Sequence, residues 1–127
     1  MGIELHMVTH PGWDGAVKSS PERAAIWLDA GKPRVRRRFT LAHELGHLML
    51  HPLGEEFRDL ADPTRPTHSY REKQANRFAA ELLMPSWMLP PYVEAADGKI
   101  NVLAQIFQVS TAAMTIRLET LHGPRTL

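Results

Sequence analysis

Two histidines and a carboxylate stand at a spacing that suits metal chemistry. In His43-Glu44-Leu45-Gly46-His47 the two imidazoles are four positions apart. On a helix, residues at that separation share a face, so both can reach one ion. Neutral imidazole is a good zinc ligand, with Zn–N near ~2.0–2.1 Å. Glu44 sits beside the first of them, where an activated water would lie, and that suits a general base. A catalytic zinc site needs a third protein ligand and an open position. The chain has no cysteine, so His, Glu or Asp on a neighbouring element must serve. Glu72 is the leading candidate, far enough past His47 for a loop and an antiparallel return. Asn76 follows one helical turn later and can orient a ligand by a hydrogen bond. The competing reading makes Glu72 a solvated carboxylate near a helix N-terminus, where the dipole favours it.

These residues need two helices to hold them. The pattern becomes helical from Thr40, a reasonable N-cap, to Leu50, and Pro52-Leu53-Gly54 stops it. A second helix is predicted over Ser69–Met84, with Ala75, Phe78, Ala79, Leu82 and Leu83 as its apolar face and Pro85 as its end. Residues 52–69 read mostly as loop. Ahead of the first helix, alternation over Gly2–Val8 predicts a strand. Trp13–Lys18 and Arg23–Leu28 predict two more, with Ser19-Ser20-Pro21 as the turn between them. Pro90-Pro91 marks a bend, and short amphipathic helices follow near 100–107 and 111–121. Strands first and helices after is an α+β order. The expected fold is a small, twisted, mostly antiparallel sheet packed on the His43–His47 helix and on a second, ligand-bearing helix. The C-terminal helices resemble a helix-turn-helix.

The strings RFTLAHELGHLMLHP (38–52) and EKQANRFAAELLMP (72–85) closely resemble the ImmA/IrrE family of zinc metallopeptidases. That family shows the same HELGH core and a downstream E-x-x-A-N-x-F-A-x-x-L-L-M-P. The resemblance is strong over 38–85 and extends plausibly to the strands before it. It implies His43, His47 and Glu72 as ligands of one Zn2+ and Glu44 as the catalytic carboxylate. The Glu72–Asn76 pair also looks like the gluzincin arrangement of a ligand with a polar supporter one turn on. The family typically has a helical stretch before its first strand, whereas this chain begins almost at the strand. That departure bears on substrate recognition more than on metal binding. The domain expectation is one minimal unit over 1–127: a zincin-like core over 1–95 and a helix-turn-helix-like segment over 99–122.

His51 lies two turns from His43, about 12 Å along the axis, so it cannot share that residue's ion. It reads as a supporter of a ligand or a helix-end residue. His68 and Tyr70 precede the Glu72 helix, and either could donate to a developing oxyanion. The bland alternatives are a loop histidine and a packing tyrosine. His6, His10 and His122 read as solvated or capping residues. Lys32, Arg34, Arg36, Arg37 and Arg38 form a basic cluster, read as a solvated turn and strand rather than a docking patch for an acidic partner or nucleic acid. Trp13, Trp27 and Trp87 read as core or helix-packing residues. The 23–28 strand could accept an extended peptide if it lay at the sheet edge. In the C-terminal segment Ser110 would cap the second helix. The turn position commonly filled by glycine is Gln108, and only Arg117 and a few threonines offer DNA contacts. DNA readers show more phosphate-binding charge, so the segment reads as packing helices.

The composition excludes several classes. The chain has 127 residues, 15 Lys and Arg against 14 Asp and Glu, and 43% hydrophobic residues. It can fold around a core, and its global charge marks neither nucleic-acid nor membrane binding. The lack of cysteine excludes disulfides, iron–sulfur clusters and thiol nucleophiles. No apolar run approaches the ~18 residues that span a bilayer. MGIELHMVTH shows no secretory signal, so the expectation is cytoplasmic. Two functions follow. The first is a zinc endopeptidase. By the family resemblance its substrate is an Xre-type helix-turn-helix repressor or antitoxin encoded nearby, whose cleavage relieves repression in a phage, mobile-element or stress programme. The second is a non-cleaving module on the same fold that sequesters such a partner or contacts DNA, against which an intact Glu44 argues. Structural zinc is the weaker third option, since such sites are closed by four ligands. The N/O donor set would also accept other divalent metals.

Overall fold

The computed structural model describes residues 2–51, 54, 56–59 and 69–122, the backbone alone for 56–59. Three strands come first: β1 (Ile3–Val8), β2 (Gly15–Ser19) and β3 (Ala24–Asp29). A long helix, α1 (Arg34–Leu50), and a short strand, β4 (Glu56–Asp59), follow. Four helices complete the order: α2 (Tyr70–Leu83), α3 (Leu89–Ala95), α4 (Ile100–Phe107) and α5 (Thr111–His122). The architecture is α+β, as the order of patterns predicts.

The strands form one mixed sheet in the order β1-β3-β2-β4. β1 runs parallel to β3, with Leu5 beside Ile26. β2 is antiparallel to β3 and to β4. The β2–β3 turn is closed by Ser20, whose N–H donates to the Arg23 carbonyl at 2.7 Å and whose Oγ accepts from the Arg23 N–H at 3.1 Å. β3 is therefore a central strand, not an edge. Its N–H and C=O groups pair on both sides, so it has no free edge for an added peptide. β4 lies within the stretch read as loop.

One face of the sheet packs on α1. Val17, Ile26 and Leu28 are buried there against Leu41, Leu45 and Leu48. Phe39 and Ala42 continue the core from α1 to Ala79 on α2. A larger cluster built on Met84, Leu89, Leu103, Phe107 and Met114 joins the end of α2 to α3, α4 and α5.

α1 begins seven residues earlier than its sequence pattern suggests, with the N-cap at Pro33 instead of Thr40. Pro33 (φ −56°) stands at its N-cap, and Thr40 is a buried mid-helix residue. Arg34, Arg36, Arg37 and Arg38 supply the first turns of the helix rather than a strand, and Lys32 lies in the turn before Pro33. Two of these arginines are held by tertiary bonds. Arg36 donates through Nε (2.8 Å) and Nη2 (2.7 Å) to buried Asp14. Arg38 donates to the carbonyls of Gln108 (3.1 Å) and Phe107 (3.4 Å) at the end of α4.

α2 starts one residue after Ser69, whose Oγ accepts from the Glu72 N–H at 3.4 Å. Its end is closed from outside. Arg117 of α5 is 6% exposed and donates from Nε to the Met84 carbonyl at 3.0 Å, and from Nη2 to the Glu81 carboxylate. That removes Arg117 as a DNA contact. Burial alone would raise the Glu81 pKa. The bonds from Arg117 and Ser86 outweigh it and hold the carboxyl below its ordinary value.

Pro90 and Pro91 sit in the first turn of α3, where missing N–H groups cost nothing, rather than marking a bend. Ser110 caps α5, accepting from the Ala113 N–H at 3.0 Å. Trp87 is 76% exposed and belongs to no core, while Trp27 is half-buried and stacks on His6. Among the described residues no helix is long and apolar enough to cross a membrane.

Candidate metal centre

α1 and α2 cross at Gly46. A Cβ there would lie 3.1 Å from Ala75 Cα, 3.1 Å from Phe78 Cβ and 3.2 Å from the Ala75 carbonyl. Glycine in mid-helix costs ~1 kcal/mol of propensity. Here it lets two backbones touch, so that the carboxylate of α2 reaches the imidazoles of α1.

The three residues expected to share an ion do converge. His43 Nε2 lies 2.9 Å from Glu72 Oε2, and His47 Nε2 lies 2.9 Å from Glu72 Oε1. The two Nε2 atoms are 3.2 Å apart. Donors on a tetrahedral zinc with bonds of ~2.0–2.1 Å stand ~3.3 Å from one another. The observed separations fall within a few tenths of an ångström of that, and the N, N, O donor set is one that zinc accepts. Both histidines are buried, while the Glu72 side chain is 23% exposed, so the cluster meets solvent on the α2 side.

The far ring nitrogens are also engaged. His43 Nδ1 lies 2.8 Å from Asn76 Oδ1. His47 Nδ1 lies 2.6 Å from His51 Nδ1, and His51 Nε2 lies 3.1 Å from Gln74 Oε1. His51 thus ends α1 and also contacts His47. Outer bonds of this kind orient a metal-binding imidazole and fix which nitrogen carries the proton.

Glu44 is fully buried between α1 and β2. Its room is made by Gly15, where a Cβ would come within 3.1 Å of Glu44 Oε1 and 2.4 Å of Thr40 Cγ2. Tyr70 opens α2 with 74% of its surface exposed and is not part of the convergent group. His68 lies outside the described residues.

Gly15, Gly46 and Gln74 were not singled out from sequence. The glycine inside a helical pattern was the available signal for Gly46, since such a residue needs a packing reason. Gly15 and Gln74 act only through partners distant in sequence, which leaves no local trace.

The sequence profile of the IrrE N-terminal-like domain, peptidase M78, matches residues 2–119. The chain belongs to this family. A protein of Bacillus phage phi105 named "Uncharacterized immunity region protein 2" is 32% identical over 78 residues. The match covers 61% of this chain and 49% of that protein, so this M78 chain aligns with about half of its relative.

Proposed function

We propose that this M78 chain is a zinc-dependent endopeptidase that cuts one specific protein, an Xre-type helix-turn-helix repressor encoded nearby, and so relieves repression. The convergence of His43 Nε2, His47 Nε2 and the Glu72 carboxylate within 2.9–3.2 Å, with Glu44 next on the same helix, carries the reading.

In this reading His43, His47 and Glu72 hold the ion. Zinc bound there supplies a water of lowered pKa and polarises the scissile carbonyl. Glu44 takes the proton from the attacking water and passes it to the leaving amine nitrogen. The bond that breaks is the peptide C–N, and the products are a carboxylate and an amine. Asn76 and His51 keep the imidazoles oriented. The Gly15 gap gives the Glu44 carboxylate buried room on the helix that carries His43 and His47. His68 is the candidate for steadying a developing oxyanion, ahead of the exposed Tyr70.

The repressor as substrate is supported by the name of the Bacillus phage phi105 relative, an immunity region protein. The test mixes zinc-loaded protein with the adjacent gene's repressor, with Glu44→Gln as control, and follows products by intact mass. Two fragments summing to the repressor plus water, with wild type alone, are expected. An uncut repressor bound equally by both proteins supports sequestration instead.

A further inference from the structure

We infer that Gln74 and His51 form a one-way hydrogen-bond chain that sets the proton position on His47 and so prepares it to bind metal. The inference rests on the metal-site reading above and deepens it.

The direction of the chain follows from donor and acceptor chemistry. Gln74 Oε1 is a carbonyl-type oxygen and only accepts. It lies 3.1 Å from His51 Nε2, and with the amide oriented this way that nitrogen carries the proton. A neutral imidazole has one N–H and one lone pair. His51 Nδ1 is then the lone-pair nitrogen. It faces His47 Nδ1 at 2.6 Å, and two lone pairs cannot meet at that distance, so His47 Nδ1 is the donor. With a metal bound, the remaining lone pair of His47 is on Nε2, the atom that faces His43 Nε2 and the Glu72 carboxylate. That is the form a metal requires.

His43 reaches the same state in one step. Asn76 Oδ1 accepts from His43 Nδ1–H at 2.8 Å, which leaves the Nε2 lone pair for a metal. The first turns of α2 thus act three times over. Glu72 supplies a donor atom, Asn76 fixes one imidazole directly, and Gln74 fixes the other through His51. His51 and Gln74 are positioning residues. The acceptor behind His47 is a neutral imidazole, where a carboxylate or a backbone carbonyl commonly stands.

The test measures zinc affinity by competition with a chromophoric chelator, for wild type and four variants. Melting temperatures of the metal-free proteins run alongside. His51→Leu fills the space but cannot accept, and is expected to bind zinc roughly 10–100-fold more weakly. Gln74→Met, one step further out, is expected to lose roughly tenfold. His51→Gln and Gln74→Glu keep an acceptor in place and are expected to stay within about threefold of wild type. Long-range 15N–1H NMR of the zinc-loaded protein should show His51 protonated at Nε2 and His47 at Nδ1.

Wild-type affinity in His51→Leu overturns the inference, as does a His51 proton on Nδ1. Equal losses in the conservative and apolar variants, tracking melting temperature, reduce both residues to packing and also overturn it. A wild-type chain that takes up no zinc overturns the metal-site reading itself, which separates that failure from this one.

Discussion

Replacing Gly46 by alanine tests whether helix spacing sets ligand spacing. The added methyl would stand 3.1 Å from Ala75 Cα and 3.1 Å from Phe78 Cβ, and 3.2 Å from the Ala75 carbonyl. Carbon atoms prefer ~3.5–4.0 Å. Relief therefore requires α2 to move from α1 by about 0.4–0.5 Å, because two of the three neighbours are backbone. Overpacking of this kind costs ~1–3 kcal/mol. Removing a mid-helix glycine returns ~1 kcal/mol. The metal-free protein should thus lose only about 0–2 kcal/mol. Metal binding should suffer more. Glu72 lies on α2 and its partners His43 and His47 lie on α1. Metal–ligand distances tolerate about 0.2 Å, less than the forced shift. Gly46→Ala should weaken zinc by roughly tenfold or more, similar to losing an outer bond to a ligand. Chelator competition gives the affinity and urea unfolding of the metal-free protein gives the stability. Unchanged zinc affinity would refute the link between the Gly46 contact and the site, whatever happens to stability.

Further expectations concern the joints around the site. Arg117→Ala strips the Met84 carbonyl of its donor and should cost about 2–3 kcal/mol by urea unfolding; a loss under ~0.5 kcal/mol would mean that Arg117 does not close α2. Glu81 has a folded pKa below its ordinary 4.5, so its contribution is present above that value and fades as pH falls through the lowered pKa. The stability gap between wild type and Glu81→Gln should therefore be full at neutral pH and close in acid, and a gap that widens in acid contradicts the sign. Gln108 ends α4 in the left-handed region at φ 56°, so Gln108→Gly should stabilise by about 1 kcal/mol, read as a raised melting temperature; a lowered one would show that its side chain contributes more than the strain.

What could be read from the sequence was the chemistry carried by local spacing. His43 and His47 announce themselves because one helical turn separates them. Glu72 and Asn76 do so because Ser69 caps their helix and Pro85 ends it, and α2 is displaced by only one residue at each end. The start of α1 was hidden because its signal is tertiary. A run of arginines has no apolar periodicity, and what makes it helical here is Pro33 behind it and Asp14 and the end of α4 beside it. β4 is four residues long in a proline-rich stretch, and its pairing with β2 supplies what its own pattern lacks. Trp87 shows the limit of reading burial from residue type. Gln74 illustrates the same limit for function: nothing local tells that an amide two positions past Glu72 reaches the end of another helix.

Native mass spectrometry after zinc loading tests the central claim most directly. The account predicts one zinc per chain in wild type and in Glu44→Gln, and none retained in His43→Ala, His47→Ala or Glu72→Ala. Zinc held by Glu72→Ala as firmly as by wild type, or a wild-type chain that binds none, would contradict it.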